Sequence, residues 1–179
     1  MFSIKYNIIE RIINNHQGIC MDNRQKTVPI DKRYVHKANE ENVLISDIEK
    51  HGEEFHTSVI VNTEHPFFFE HAREHVPGLL LVEAGRQSSM AIVHKYYDVA
   101  FDKAFFINDF QMKFASFATT SSPLTIRSKV LNNASKSKNY FQLDFEIEFY
   151  QETKLVASLS VNFSIAREKL LARLERNRG

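Results

Sequence analysis

The chain has no tryptophan and a single cysteine, Cys20. One thiol excludes an intrachain disulfide and fits a reducing compartment, where Cys20 reads as an inert buried side chain. Neither sign of charge dominates: 23 Lys and Arg stand against 22 Asp and Glu. There is therefore no global electrostatic pull towards nucleic acid. Long apolar runs are also missing. Those present are short and broken by charge, which argues against a membrane-spanning helix. Residues Met1 to Asn14 carry Lys5, Glu10 and Arg11 and lack the apolar core of a signal peptide. These absences predict a soluble, cytoplasmic protein with no membrane and no nucleic-acid partner.

What is present is ordinary globular material, with 43% hydrophobic and 25% charged residues and 15 phenylalanines. In 179 residues that suffices for one domain with a sizeable core. The organising stretch runs from His65 to Tyr97. A loop rich in histidine and phenylalanine ends at Pro77-Gly78, a helix start, and Gly78 to Tyr97 follows as an apolar segment. If fully helical this segment is roughly 30 Å long. It is apolar nearly all round, which marks a buried helix. Yet Glu83, Arg86 and Gln87, at offsets of three and four, share one face of it. Charge in such a helix is costly unless paired or used.

Strands surround this helix. Val43 to Glu49 and Phe55 to Asn62 predict a hairpin turning at Lys50-His51-Gly52-Glu53. Ala104 to Phe114, Leu124 to Val130, Tyr140 to Phe149 and Leu155 to Ile165 each alternate apolar with polar residues. That is the period of strands with one wet face in an antiparallel sheet. Short helices are expected at Ile4–Asn14 and from Arg167 to about Asn177. The predicted division is an N-terminal extension over 1–34, a single domain over 35–166 and a basic helix over 167–179. The fold class is α+β: one long buried helix wrapped by a curled antiparallel sheet. Such a sheet leaves an edge strand unpaired, so a homodimer is expected.

Sheet around helix is the layout of the hotdog fold, and the central motifs resemble two branches of it. Phe67-Phe68, His71, Pro77-Gly78 and Glu83-Ala84-Gly85-Arg86-Gln87 resemble the acyl-thioester dehydratases of fatty-acid synthesis. Val35-His36-Lys37, His65-Pro66-Phe67-Phe68, His75-Val76-Pro77-Gly78-Leu79-Leu80 and the same Glu-Ala-x-Arg-Gln helix resemble the A-factor biosynthesis hotdog family more closely. Arg86 beside Gln87 separates the second pattern from the first. The resemblance implies an acyltransferase that moves a β-ketoacyl group from a thioester onto a hydroxyl like that of dihydroxyacetone phosphate, in butyrolactone-type signal biosynthesis. It implies no cofactor beyond the substrate's own carrier, the phosphopantetheine of an acyl carrier protein or coenzyme A. A 3-hydroxyacyl-thioester dehydratase, a thioesterase and a non-catalytic acyl-thioester or lactone-binding module remain alternatives on the same fold.

Acyl transfer needs a base for the acceptor and donors for an oxyanion. Glu83 is the candidate base, since burial should raise its pKa; an ion pair with Arg86 is the competing reading. Amide groups at Gly78 and Leu79 are expected to receive the thioester oxygen. His71 and His75 are equal claimants for orienting the carbonyl or relaying a proton. Arg86 suits a phosphate, and Gln87, His65 and Phe68 complete the expected substrate-binding set. Prolines bound the histidine loop and no zinc spacing occurs, so no metal is expected. His94 is expected to cap the helix or contact the surface. The segment from Arg167 to Arg178, with five basic residues against two acidic, is a candidate docking face for an acidic carrier protein.

Overall fold

The computed structural model of the chain describes residues 27–133 and 140–167. The predicted Ile4–Asn14 helix and nearly all of the C-terminal basic helix lie outside them. The elements are β1 (Glu49–His51), β2 (Glu54–Val59), α1 (Gly78–Tyr96), β3 (Ala104–Phe114), β4 (Leu124–Asn133), β5 (Tyr140–Gln151) and β6 (Lys154–Ala166), preceded by 3-10 turns at Lys32–Val35 and Glu40–Asn42. The strands form one six-stranded sheet in the order β1-β2-β4-β5-β6-β3, every pair antiparallel. This is the expected α+β hotdog arrangement of one helix against one sheet.

Period-two alternation decides which way each central strand faces. Leu143, Phe145, Ile147 and Phe149 of β5 and Leu159, Val161, Phe163 and Ile165 of β6 are buried against α1. The alternate residues form a polar outer face, where Arg127 lies opposite Glu148 and Lys129 opposite Glu146. The helix lies unusually close to this sheet at Gly85. A Cβ there would come within 2.6 Å of Leu159 Cδ2 and 3.2 Å of Phe149 Cζ, so only glycine permits the approach.

Two expectations need correction. Val43 to Glu49 is not a continuous strand. Ile45 and Ser46 make isolated bridges to Val59 and Pro29, and the hairpin strand β1 begins only at Glu49. The domain also does not start at Val35. Ile30 donates its N–H to the Ile45 carbonyl at 3.1 Å, and Ile30 and Val35 are core residues. Residues 29–48 form an arm that clasps α1, and the Val-His-Lys motif lies in its middle.

The β3 edge departs from the expected pattern differently. Its alternation is present, yet Ile107 is 50% exposed, Phe110 39% and Phe114 58%. These side chains share the face of β6 that α1 covers; they lie at the rim of the sheet, where Phe114 meets the helix start at Gly78. A bulge between Ile107 and Asp109 keeps both halves of β3 in phase with β6. Among the described residues, no helix is long and apolar enough to cross a membrane.

Candidate functional site

The helix start is built by its neighbours. Pro77 is the N-cap residue of α1, and no side chain caps the helix there. Val76 N–H donates to the Ala118 carbonyl at 2.7 Å and Thr120 N–H to the Glu74 carbonyl at 2.9 Å. These bonds tie the end of the histidine loop to the segment after β3. Ala115 and Ser116 both donate to the Val156 carbonyl, at 2.9 and 3.2 Å. Two residues opposing one in this way bend the chain over the helix start. A cavity of about 480 Å³ results, lined by His75, Val76, Gly78, Leu81 and the run from Phe114 to Ala118. This is the size of an ordinary small-molecule site. Among the described residues, the Gly78 and Leu79 amides have no backbone acceptor, as the first turn of a helix requires.

At Gly78 the Phe114 ring occupies the space a side chain would take, 3.0 Å from where a Cβ would sit. Gly78 thus shapes the cavity by admitting Phe114. His75 lines this cavity with its ring 5.6 Å from that of Phe117. His71 is exposed in the loop and does not line it. The structure therefore separates the two histidines that the sequence left equal.

Glu83 and Arg86 lie elsewhere. A turn of 3.6 residues sets Glu83 roughly 140° from Gly78 and roughly 160° from Leu81 around the helix axis. There the Glu83 carboxylate accepts from Arg86 Nε at 2.7 Å, Arg86 Nη2 at 2.8 Å, Gln87 Nε2 at 3.0 Å and Lys37 Nζ at 2.7 Å. Burial works to raise its pKa, as expected, but the Arg86 fork, Lys37 and Gln87 outweigh it and hold the pKa at about 2. Glu83 is a fixed anion in this chain, and the raised pKa expected of a general base is not found.

Gln87 is fully buried and works on the backbone of the arm. Its Oε1 accepts from Leu44 N–H at 2.8 Å and its Nε2 donates to the Asn42 carbonyl at 2.8 Å. His65, also buried, bonds the Asn42 side chain at 3.1 Å through Nε2. Its Nδ1 accepts from Phe67 N–H at 3.2 Å, which fixes the neutral tautomer with the proton on Nε2. The Phe68 ring packs 4.8 Å from that of His65. Expected as substrate contacts, His65, Phe68 and Gln87 instead hold the arm and the histidine loop. Lys37 belongs to this cluster, although its motif carried no assigned role. Helix α1 already carries Arg86 for its one Glu, so charge balance gave no signal for this contact. His94, expected at the surface or as a cap, is buried.

The family model for the A-factor biosynthesis hotdog domain matches residues 21–167. The chain belongs to this family. The match spans both the Val-His-Lys motif and the Glu-Ala-x-Arg-Gln helix, so the A-factor biosynthesis motifs that clasp each other here lie within one matched domain. Solved structures share the fold at low identity. A dehydratase heterocomplex from Xenorhabdus doucetiae aligns with a TM-score of 0.61 and 18% identity, over 82% of this chain and 97% of that one. A putative thioesterase from Lactococcus lactis aligns with a TM-score of 0.51 and 16% identity, over 69% and 94%. A virulence protein from Campylobacter jejuni aligns with a TM-score of 0.53 and 11% identity, over 76% and 95%. No curated protein sequence matches the chain.

Among the described residues, no three His, Cys, Asp or Glu side chains are grouped to hold a metal ion.

Proposed function

We propose that this A-factor-type hotdog protein is an acyltransferase acting on a β-ketoacyl thioester of a carrier protein or coenzyme A, with a phosphorylated hydroxy compound as acceptor. The observation that carries this reading is the apolar cavity at the uncapped start of α1, beside His75. An acyl chain lies against Leu81, Phe114 and Phe117, and the thioester oxygen faces the Gly78 and Leu79 amides. His75 takes the proton of the acceptor hydroxyl as its oxygen attacks the carbonyl carbon. The C–S bond then breaks, and the departing thiolate takes that proton back from His75. Glu83, ionised throughout, holds Arg86 and Lys37 on the other side of the helix, where the three tie the arm to α1. No bound cofactor enters these steps.

The same reading includes a second copy of the chain along β3. In an antiparallel pairing about a twofold axis at Gln111, Asp109 stands opposite Lys113 of the partner subunit. The exposed faces of Ile107, Phe110 and Phe114 would then be covered together.

The test is to incubate the purified protein with β-ketoacyl carrier protein and dihydroxyacetone phosphate and follow ester formation by mass spectrometry. Ester formation dependent on the protein is the expected result. Hydration of a crotonyl thioester without transfer would replace this reading with a dehydratase, and release of free acid with a thioesterase.

A further inference from the structure

Two histidines meet where the arm crosses α1. His36 Nε2 lies 2.9 Å from His94 Nε2. His94 Nδ1 is 2.7 Å from the Val99 carbonyl, which can only accept, so Nδ1 carries the proton. His94 Nε2 is then a lone pair, and the hydrogen between the rings belongs to His36. His36 holds this position with a left-handed backbone, φ 52°, a conformation non-glycine residues seldom adopt. Aromatic groups flank the pair, with His94 buried and His36 reaching the surface. The Phe101 ring is 4.7 Å from His94, the Phe105 ring 5.5 Å from His36, and Tyr34 meets Phe101 edge-on at 5.3 Å.

We propose that the His36–His94 pair is a proton-sensitive latch that holds the arm, and with it Lys37, against α1. The latched pair is neutral and has no room for two added protons, because a second one would set two cationic N–H groups against each other. Once released, each ring is free to take its own. Burial lowers the pKa of both rings, and the other ring and the Arg86 guanidinium lower that of His36 further. The charged group acting on the pair comes from α1. The loop after the helix presents Phe101 and the Val99 carbonyl, β3 presents Phe105, and no carboxylate acts on either ring among the described residues. Lys95, next to His94 in sequence, pairs instead with Asp47.

The direction of the pH dependence follows. Both pKa values are depressed from 6.5 in the latched state, so that state binds fewer protons than the released one. The latch contributes fully above about pH 6.5 and is lost as the pH falls through the lower values of the latched rings. Lys37 directly follows His36, so release withdraws it from Glu83. The Glu83 carboxyl, with its pKa held at about 2, stays ionised through this window and is not the sensor.

The test is hydrogen exchange of the full chain between about pH 7.5 and pH 5.5, with each rate corrected for intrinsic exchange. The arm, residues 29–48, should open at least about tenfold more often at the lower pH, while β5 and β6 keep their protection. Replacing both rings, His36→Gln with His94→Gln, should abolish that response. Unchanged arm protection, an equal loss in β5 and β6, or an undiminished response in the double variant would each overturn the proposal. A second measurement guards against a variant that does not fold: the imidazole nitrogens of the unaltered chain, followed by NMR, should report both rings neutral at pH 7 and titrating below 6.5. Titration of either at or above 6.5 would also overturn it.

Discussion

Lys37 Nζ lies 2.7 Å from Glu83 Oε1 and so joins the middle of the N-terminal arm to the second turn of the buried helix. The contact makes Glu83 an organiser of cations. It also couples the two sequence motifs that identify the family, because each supplies charge that the other neutralises.

Replacing Glu83 with Gln should leave Arg86 and Lys37 without a counter-charge in a half-buried site, lowering stability by about 1–3 kcal/mol. The Glu83 carboxyl in the folded chain, with a pKa of about 2, lies below the ordinary glutamate value of 4.5. A depressed carboxylate contributes stability above about pH 4.5 that is lost as the pH falls towards 2. Urea unfolding at several pH values checks both points, since Glu83→Gln should remove part of the acid-side slope. An unchanged slope would mean the cluster is not formed in solution.

Two glycines on one helix should respond differently to alanine. At Gly85 the added methyl meets Leu159 and Phe149 in the packed core, so Gly85→Ala should cost about 1–3 kcal/mol. At Gly78 it meets only the half-exposed Phe114 ring, which has room to move. Gly78→Ala should leave the thermal midpoint within a few degrees and reduce turnover by narrowing the cavity. Thermal unfolding and the transfer assay, run side by side, separate the two.

His75→Ala should lower turnover by about 10²–10⁴-fold, the usual worth of a proton-carrying group, and leave folding intact. His71→Ala should leave turnover within about threefold, because His71 does not line the cavity. The reverse ranking would move the chemistry away from the cavity.

Charge reversal tests the proposed seam at β3. Asp109→Lys should set like charges across the twofold axis and raise the dimer dissociation constant. Adding Lys113→Asp should restore it. Sedimentation at a series of concentrations reads both, and failure of the double variant to recover would exclude this register.

Much of the fold was legible before any coordinate. Strands β3 to β6 carry an alternation that only a half-buried strand satisfies, and Pro77-Gly78 marks the helix start to the residue. The arm was not legible. Val43, Leu44, Ile45 and Ile48 are apolar because all four are buried, and a short apolar run does not reveal whether its backbone lies in a ladder. Here the backbone bonds go partly to Gln87, a side chain far away in sequence.

By itself, then, the sequence determined α1, strands β2 to β6, the family and the face of the helix on which Glu83, Arg86 and Gln87 stand. Those depend on local period and spacing, which any reader of the chain can count. Only the tertiary structure decided what those residues do. Whether a buried carboxylate has a raised or a lowered pKa depends on which charges reach it, and Lys37 reaches Glu83 through the path of the arm. Likewise His75 and not His71 borders the cavity, because Glu74–Val76 pairs with Ala118–Thr120 across the helix start.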